Sequence, residues 1–455
     1  MRAKRVLKQI AKKRKRRKKG NDRKPQSLVY EVFKVISHHF PTLVDELSQI
    51  PEIRINPQYK MSEVVWAGIC MFLFKSGSRN MYNNLLYEGK FNENLQCFFS
   101  MKSPHMDTVN GVFEKLDCKH LEQLKKRFFK LLLQRKVFHK WRFRGFFLIA
   151  IDGTGIASYK EKHCKDCLEK EFKKSGKKIY YHNVLEAKLV CSNGFSISIA
   201  TEWIGLYANK GTKQDCERKA FTRLAETLKK DYPRLQICLL CDGLYPYKGF
   251  FEICKDFKWP YIVTLKDKSL KSLWKRIKRT NRNGRIEKEN LDENIIRHEY
   301  QWIENEKYLE FPLNWVQFIE TLINEEGKKD ILRFVFLTNM AISYSEVIEI
   351  VTAGRLRWKI EKQGFDQQKN HGYNICHKYS RTNFTAMKNH YQCCQIAHLF
   401  NQLVELSDNY KELMLKTDTI IFLKYLIFAA MMYIPLDNEK LKQIKEYRFQ
   451  IQYHE

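Results

Sequence analysis

The pattern of apolar and polar positions changes character twice along the chain. Residues 25–145 alternate apolar with basic positions at helical spacing, as in Leu121–Lys136. Ser103-Pro104-His105-Met106-Asp107 reads as a helix entry with Asp107 as its N-cap. From residue 146 the period shortens. Phe146-Phe147-Leu148-Ile149-Ala150-Ile151 is a buried-strand run that closes on Asp152. Val184–Val190 and Phe195–Thr201 read as two strands joined by a turn at Asn193-Gly194. Thr212–Lys230 reads as a helix, Leu235–Cys241 as a strand closing on Asp242, Tyr247–Phe257 as a helix and Tyr261–Leu265 as a strand. The predicted order is β-β-β-α-β-α-β. Turn signals and short aromatic strands, Tyr308–Phe311 and Trp315–Leu322, mark 271–335 as a β-rich stretch. Ser345–Asn370 reads as one helix, and 380–435 continues as helices, with Ile420–Leu436 as a buried C-terminal helix.

This predicts an α/β protein. Its parts are a basic arm (1–24), a helical region (25–145), the first part of a core (146–270), a β-rich insertion (271–340), a second core part (341–405) and C-terminal helices (406–455). With 455 residues, 44% of them hydrophobic, the chain can bury a large core.

Charge narrows the partner. The formal net charge is +31, and residues 1–24 hold 14 Lys and Arg against a single acid, Asp22. The remainder is still basic. Such a surplus repels itself until a polyanion neutralises it, which points to nucleic acid ahead of an anionic membrane surface. The arm reads equally well as a solvated tail. No apolar h-region follows the basic start, and Ile420–Leu436 is too short and is interrupted by Lys424. The expectation is a protein without a membrane partner, in the cytoplasm. The 13 cysteines are expected as free thiols.

Two acids stand at the ends of apolar runs, in Ile151-Asp152-Gly153-Thr154 and Leu239-Leu240-Cys241-Asp242-Gly243. Each alone reads as a turn cap. As a pair on neighbouring strands they suit phosphodiester chemistry, which needs two hard cations about 3.5–4 Å apart held by carboxylates. A third acid, Glu361, follows Arg357 by four residues on the same expected helical face.

Arg357-Trp358-Lys359-Ile360-Glu361 resembles the signature helix of insertion-sequence-four-like DDE transposases, Y-x-x-R-x-x-x-E-x-x-x-x-x-x-K. The segments around Asp152 and Asp242 resemble the first two acid motifs of that family. Tyr181-His182, Lys213-Gln214-Asp215-Cys216-Glu217 and Lys369-Asn370-His371-Gly372-Tyr373 resemble a subgroup of it. The resemblance covers about residues 100–405. It implies a ribonuclease-H-like fold interrupted by a β-rich insertion. It implies Asp152, Asp242 and Glu361 as catalytic acids and ligands of Mg2+, replaceable by Mn2+, with Arg357 and Lys369 on DNA phosphate. It also implies a homodimer that cuts the inverted-repeat ends of a transposon and joins them to target double-stranded DNA. Two positions depart from the pattern: Gly354 stands at the Tyr position and Gln368 at the Lys position, with Lys369 one step on. On an α-helix Gln368 faces with Glu361 and Lys369 is turned roughly 80° away. The alternative left open is a catalytically inactive or repurposed, transposase-derived DNA-binding protein.

His163-Cys164-Lys165-Asp166-Cys167, with His182 further on, has zinc-like spacing at Cys164 and Cys167 but lacks a second C-x-x-C. Glu202 and Glu217 are candidate supporting acids. Trp358 is expected to pack behind the Glu361 helix, and Cys393-Cys394 to lie in the core.

Overall fold

In the computed structural model the described residues are 24–205, 215–291, 294–325, 327–415, 418–447 and 449–454. Residues 1–23 of the basic arm and the Lys213-Gln214 end of one motif therefore lie outside them. Among the described residues there are ten strands: β1 Phe147–Tyr159, β2 Leu168–Glu171, β3 Lys178–Val190, β4 Ser196–Ile204, β5 Ile237–Cys241, β6 Tyr261–Thr264, β7 Asn283–Leu291, β8 Asn294–Tyr308, β9 Phe311–Ile323 and β10 Lys329–Thr338. The mixed sheet, with helices around it, is the α/β, ribonuclease-H-like class expected. The described parts of the chain form two units, one of Arg142–Asp152 and Ala225–Ile360, the other of residues 24–141, 153–224 and 361–454.

In the first unit the strand order is β1-β5-β6-β10-β9-β8-β7. β1, β5 and β6 pair in parallel. Their apolar runs are continuous because a parallel sheet is covered on both faces: Leu148 to Ile151 and Ile237 to Cys241 are all buried. From β6 onward the pairing is antiparallel, β10 on β6, then β9, β8 and β7 as a meander. The meander continues the same sheet edge. Tyr308–Phe311 is a turn and not a strand: β8 ends at Tyr308, β9 begins at Phe311, and Leu309 between them has φ 56°. Trp315–Leu322 does lie within a strand.

In the second unit, β3 and β4 form a hairpin with a bulge between Ala187 and Lys188. The expected turn at Asn193-Gly194 is present, with Gly194 at φ 117°. Helices Pro25–His39, Leu43–Ser48, Met61–Leu73, Arg79–Leu86, Phe91–Phe99, Met106–Phe113 and Lys119–Gln134 occupy the region read as helical. Asp107 is not the cap: His105 is, its side chain accepting from the Asp107 N–H. At the centre runs the helix Phe384–Leu406, buried from Ala386 to Val404 on nearly every side. Several of its buried polar side chains bind neighbouring helices. Asn389 Nδ2 donates to the carbonyls of Phe113 and Leu116 (2.9 and 2.7 Å) and Asn401 Nδ2 to that of Leu73 (3.1 Å), capping ends of neighbouring helices.

The C-terminal helix, Ile420–Tyr433, is not the buried element its composition suggests. Leu423, Phe428, Ala430 and Met431 face inward, while Ile421, Phe422 and Tyr425 are exposed. A helix apolar all round carries no sequence signal of which face packs. Among the described residues no single helix is long and apolar enough to cross a membrane.

Candidate active site

Parallel pairing of β1 with β5 sets Ile151 level with Cys241. Asp152 and Asp242 each follow by one residue, so the two acids stand at the same level of adjacent strands. Asp242 comes directly after β5. Asp152 does not end its strand as expected: β1 runs on to Tyr159.

The Asp242 carboxylate is held on both oxygens. Oδ1 accepts from the Leu244 N–H at 2.8 Å, and Oδ2 from Lys266 Nζ at 3.2 Å. Gly243 permits this, since a Cβ there would stand 2.5 Å from Lys266 Cγ. Lys266 lies two residues beyond β6, and nothing in its sequence neighbourhood marks it. The Asp152 carboxylate faces Arg357, with Nη1 3.6 Å from Oδ2. Arg357 is buried, 7% exposed, and its guanidinium lies 5.2 Å from the Trp358 ring centroid. Trp358 itself is 46% exposed, so it is not the packing anchor expected.

The expected helix Ser345–Asn370 is three pieces. An α-helix spans Val347–Arg355, a turn follows at Leu356-Arg357, and Ile360–Asp366 is π-helical before a short α-helix Gln367–Asn370. Trp358 and Lys359 are helical and the π segment begins at Ile360, so the wider turns fall between Glu361 and Gln368 and not between Arg357 and Glu361. Each π closure carries one residue more than an α turn. Position eight after Glu361 then takes the place position seven has on an α-helix. Burial agrees with this phase. Gln368 is fully buried, its Nε2 donating to Gln395 Oε1 at 2.8 Å, while Lys369 and Glu361 are partly exposed. The expectation that Gln368 faces with Glu361 is thus corrected.

Gly354 also has a packing reason. A Cβ there would meet Ile262 Cγ2 and Phe336 ring carbons at 3.0 Å, so a tyrosine at 354 has no room. The helix lies that close to β6 and β10.

Further acids lie in the second unit, two of them joined by Arg223. Arg223 donates from Nε to Glu202 Oε1 (2.6 Å) and from Nη2 to Asp215 Oδ2 (2.9 Å). Burial nonetheless raises the Glu202 carboxyl above its ordinary range. Glu217 is not a solvated helix-face residue: its Oε2 would stand 2.9 Å from a Cβ on Gly153. His163, Cys164, Cys167 and His182 also converge, their ligand atoms all within 4.8 Å of one another. Cys393 and Cys394 are buried, as expected.

Asp152 and Asp242 offer only carboxylate oxygen, the donor set of a hard divalent cation such as Mg2+ or Mn2+. Each is faced by a cation, Arg357 or Lys266, which offsets the repulsion between neighbouring carboxylates. The residues present fit such an ion.

A family model described as a transposase DDE domain matches residues 148–393. No curated protein matches the chain.

Proposed function

Because the chain belongs to the transposase DDE-domain family, we propose that it cuts the ends of a mobile DNA element and joins them to target DNA. The observation that carries this reading is the level placement of Asp152 and Asp242 on adjacent parallel strands. Asp152 and Asp242 would hold the divalent cations, Mg2+ or Mn2+. Glu361 is assigned as the third acid on its motif. The subgroup we assign, insertion-sequence-four-like, rests on the segment from Arg357 to Glu361 and on the acid motifs.

When bound, the ions supply a lowered pKa for the attacking hydroxyl and charge neutralisation at the phosphate. The protein's residues do the rest. Arg357, fixed by burial and by the Trp358 ring, orients the Asp152 carboxylate. Lys266 and the Leu244 N–H orient that of Asp242. Lys369, brought round by the π segment, holds DNA phosphate. In cleavage, water adds to phosphorus and the 3′-oxygen leaves as a free 3′-hydroxyl. In joining, that hydroxyl attacks a target phosphodiester and expels its 3′-oxygen, so one phosphodiester replaces another and no external energy source is needed.

The helical region 25–145 is assigned to recognition of the inverted-repeat ends, and the arm 1–24 to sequence-independent phosphate contact. Two copies would pair two DNA ends. The test is incubation of the full chain with DNA carrying the repeats that flank its gene, with Mg2+. End-specific nicks and joined products support the proposal. Binding without nicking supports the alternative of a repurposed DNA-binding protein, and nicks without joined products a simple nuclease.

A further inference from the structure

We infer that His163, Cys164, Cys167 and His182 form a structural zinc site, separate from the carboxylates that would hold Mg2+. The fold supplies what the sequence spacing lacks. Cys164 and Cys167 lie in the loop between β1 and β2, and His182 projects from β3 to meet them. A second C-x-x-C is unnecessary because two histidines complete the set.

Three of the four ligand atoms stand at the spacing of tetrahedral edges, and His163 lies within reach of them. The two Sγ atoms are 3.4 Å apart, and His182 Nε2 is 3.4 Å from Cys164 Sγ and 3.6 Å from Cys167 Sγ. Ligands at ordinary Zn–S and Zn–N lengths stand roughly 3.3–3.8 Å from one another along tetrahedral edges. The sulfurs are far beyond a bonded S–S distance, which is about 2.05 Å. Both ring nitrogens of His163 are buried with no hydrogen-bond partner. Buried polar atoms are seldom left so, and a metal within the cluster supplies the missing partner.

The donor set selects the metal. Two thiolates and two imidazoles suit zinc and suit magnesium poorly. Loading Zn2+ releases one proton from each thiol, and two thiolates with two neutral histidines balance the ion's charge. Four protein ligands leave no open position, so the site is structural and not hydrolytic.

Its neighbours say what it secures. The His163 ring contacts Tyr159, the last residue of β1, with centroids 3.8 Å apart. The His182 ring stacks on Phe384, the first residue of the central helix, at 3.8 Å and 13°. The ion would therefore tie the end of β1, its following loop, β3 and the start of that helix at one point. β1 is the strand that carries Asp152.

The test is elemental analysis of full-length protein purified without chelator. About one zinc per chain is expected. Cys164→Ser and Cys167→Ser should lose it, and Cys216→Ser, an exposed cysteine outside the cluster, should keep it. Should the cysteine variants fail to fold, wild-type protein loaded with Co2+ answers instead, through the intense visible bands of tetrahedral thiolate-bound cobalt. Stripping the zinc should lower the thermal midpoint, and added Mg2+ should not restore it. Wild-type protein at background zinc, with no tetrahedral cobalt spectrum, overturns the site. A Cys164–Cys167 disulfide in freshly purified protein does so too. Neither outcome bears on the carboxylate reading, which is tested by nicking.

Discussion

Arg357 is buried beside Asp152, its Nη1 3.6 Å from the carboxylate, and so faces the acid of a strand distant in sequence. A guanidinium fixed there sets the rotamer of the carboxylate. Lysine presents a point charge on a flexible stem and does not reproduce the planar group held against the Trp358 ring. Both Arg357→Lys and Arg357→Ala should therefore lower cleavage, by about 10²-fold. Single-turnover nicking at saturating DNA measures this. A near wild-type rate for Arg357→Lys would show that only the charge matters.

Asp152→Ala, Asp242→Ala and Glu361→Ala should each abolish cleavage and leave duplex binding largely intact. Affinity comes mainly from basic groups displacing counterions, and these changes remove none of them. Gel-shift and nicking assays on the same preparations separate the two effects. Cleavage by any one variant at the wild-type rate removes that residue from the metal site.

The carboxylates proposed as ligands offer only oxygen, which favours hard divalent cations. Mg2+ or Mn2+ should support cleavage, Ca2+ should support binding with little chemistry, and excess chelator should stop cleavage. Activity that persists in chelator would rule out metal-assisted cleavage.

Much of this site was legible in the sequence because apolar runs announce parallel strands and an acid closing such a run stands out. Asp152 and Asp242 were found that way. Lys266 was not, because a lysine after a strand looks like any solvated lysine. Its role depends on Gly243 leaving space across the strand. The π segment was also invisible: Ile360–Asp366 has a composition compatible with an ordinary helix, and only packing selects the wider turn. That packing includes Gly364, whose Cβ would lie 3.0 Å from Ser196 Oγ. The exposed face of Ile420–Tyr433 was misjudged because hydrophobicity alone does not tell which side is covered.

His390 predicts an acid-labile fold. It is fully buried in the central helix, against Asn110 (Nε2 to Oδ1, 3.2 Å) and the Phe113 and Tyr379 rings. Burial first, then the charges of Arg79 and His377, lower its pKa to about 3. The unfolded chain takes up this proton near the ordinary 6.5, so the unfolded state binds more protons between pH 6.5 and 3. Stability from this group is full above 6.5 and falls as pH drops through that window, by up to about 1.4 kcal/mol per pH unit. Urea unfolding from pH 7 to 5 should show the fall, and His390→Gln should flatten it by about one proton's worth. An unchanged slope in the variant would mean His390 is protonated or exposed in the fold.

Gln368 and Gly354 stand where the insertion-sequence-four-like pattern has Lys and Tyr. Gln368 is fully buried and exchanges hydrogen bonds with Gln395, at 2.8 and 3.2 Å. The same Gln395 Oε1 accepts from Lys188 Nζ at 3.0 Å, and burial lowers the Lys188 pKa to about 8. A lysine at 368 would place a second ammonium beside one already disfavoured by burial. Gln368→Lys should therefore destabilise the fold by about 3 kcal/mol and fail to raise activity. Gly354→Tyr should cost about 1–3 kcal/mol by overpacking against Ile262 and Phe336. Lys369→Ala should leave the unfolding midpoint unchanged while weakening cleavage, because the π turn gives Lys369 the phase that the pattern assigns to its lysine. Thermal unfolding and nicking, measured on all three variants, decide the matter. A Gln368→Lys protein that is stable and more active would show that the departure is a lesion in the site and not an accommodation by the helix.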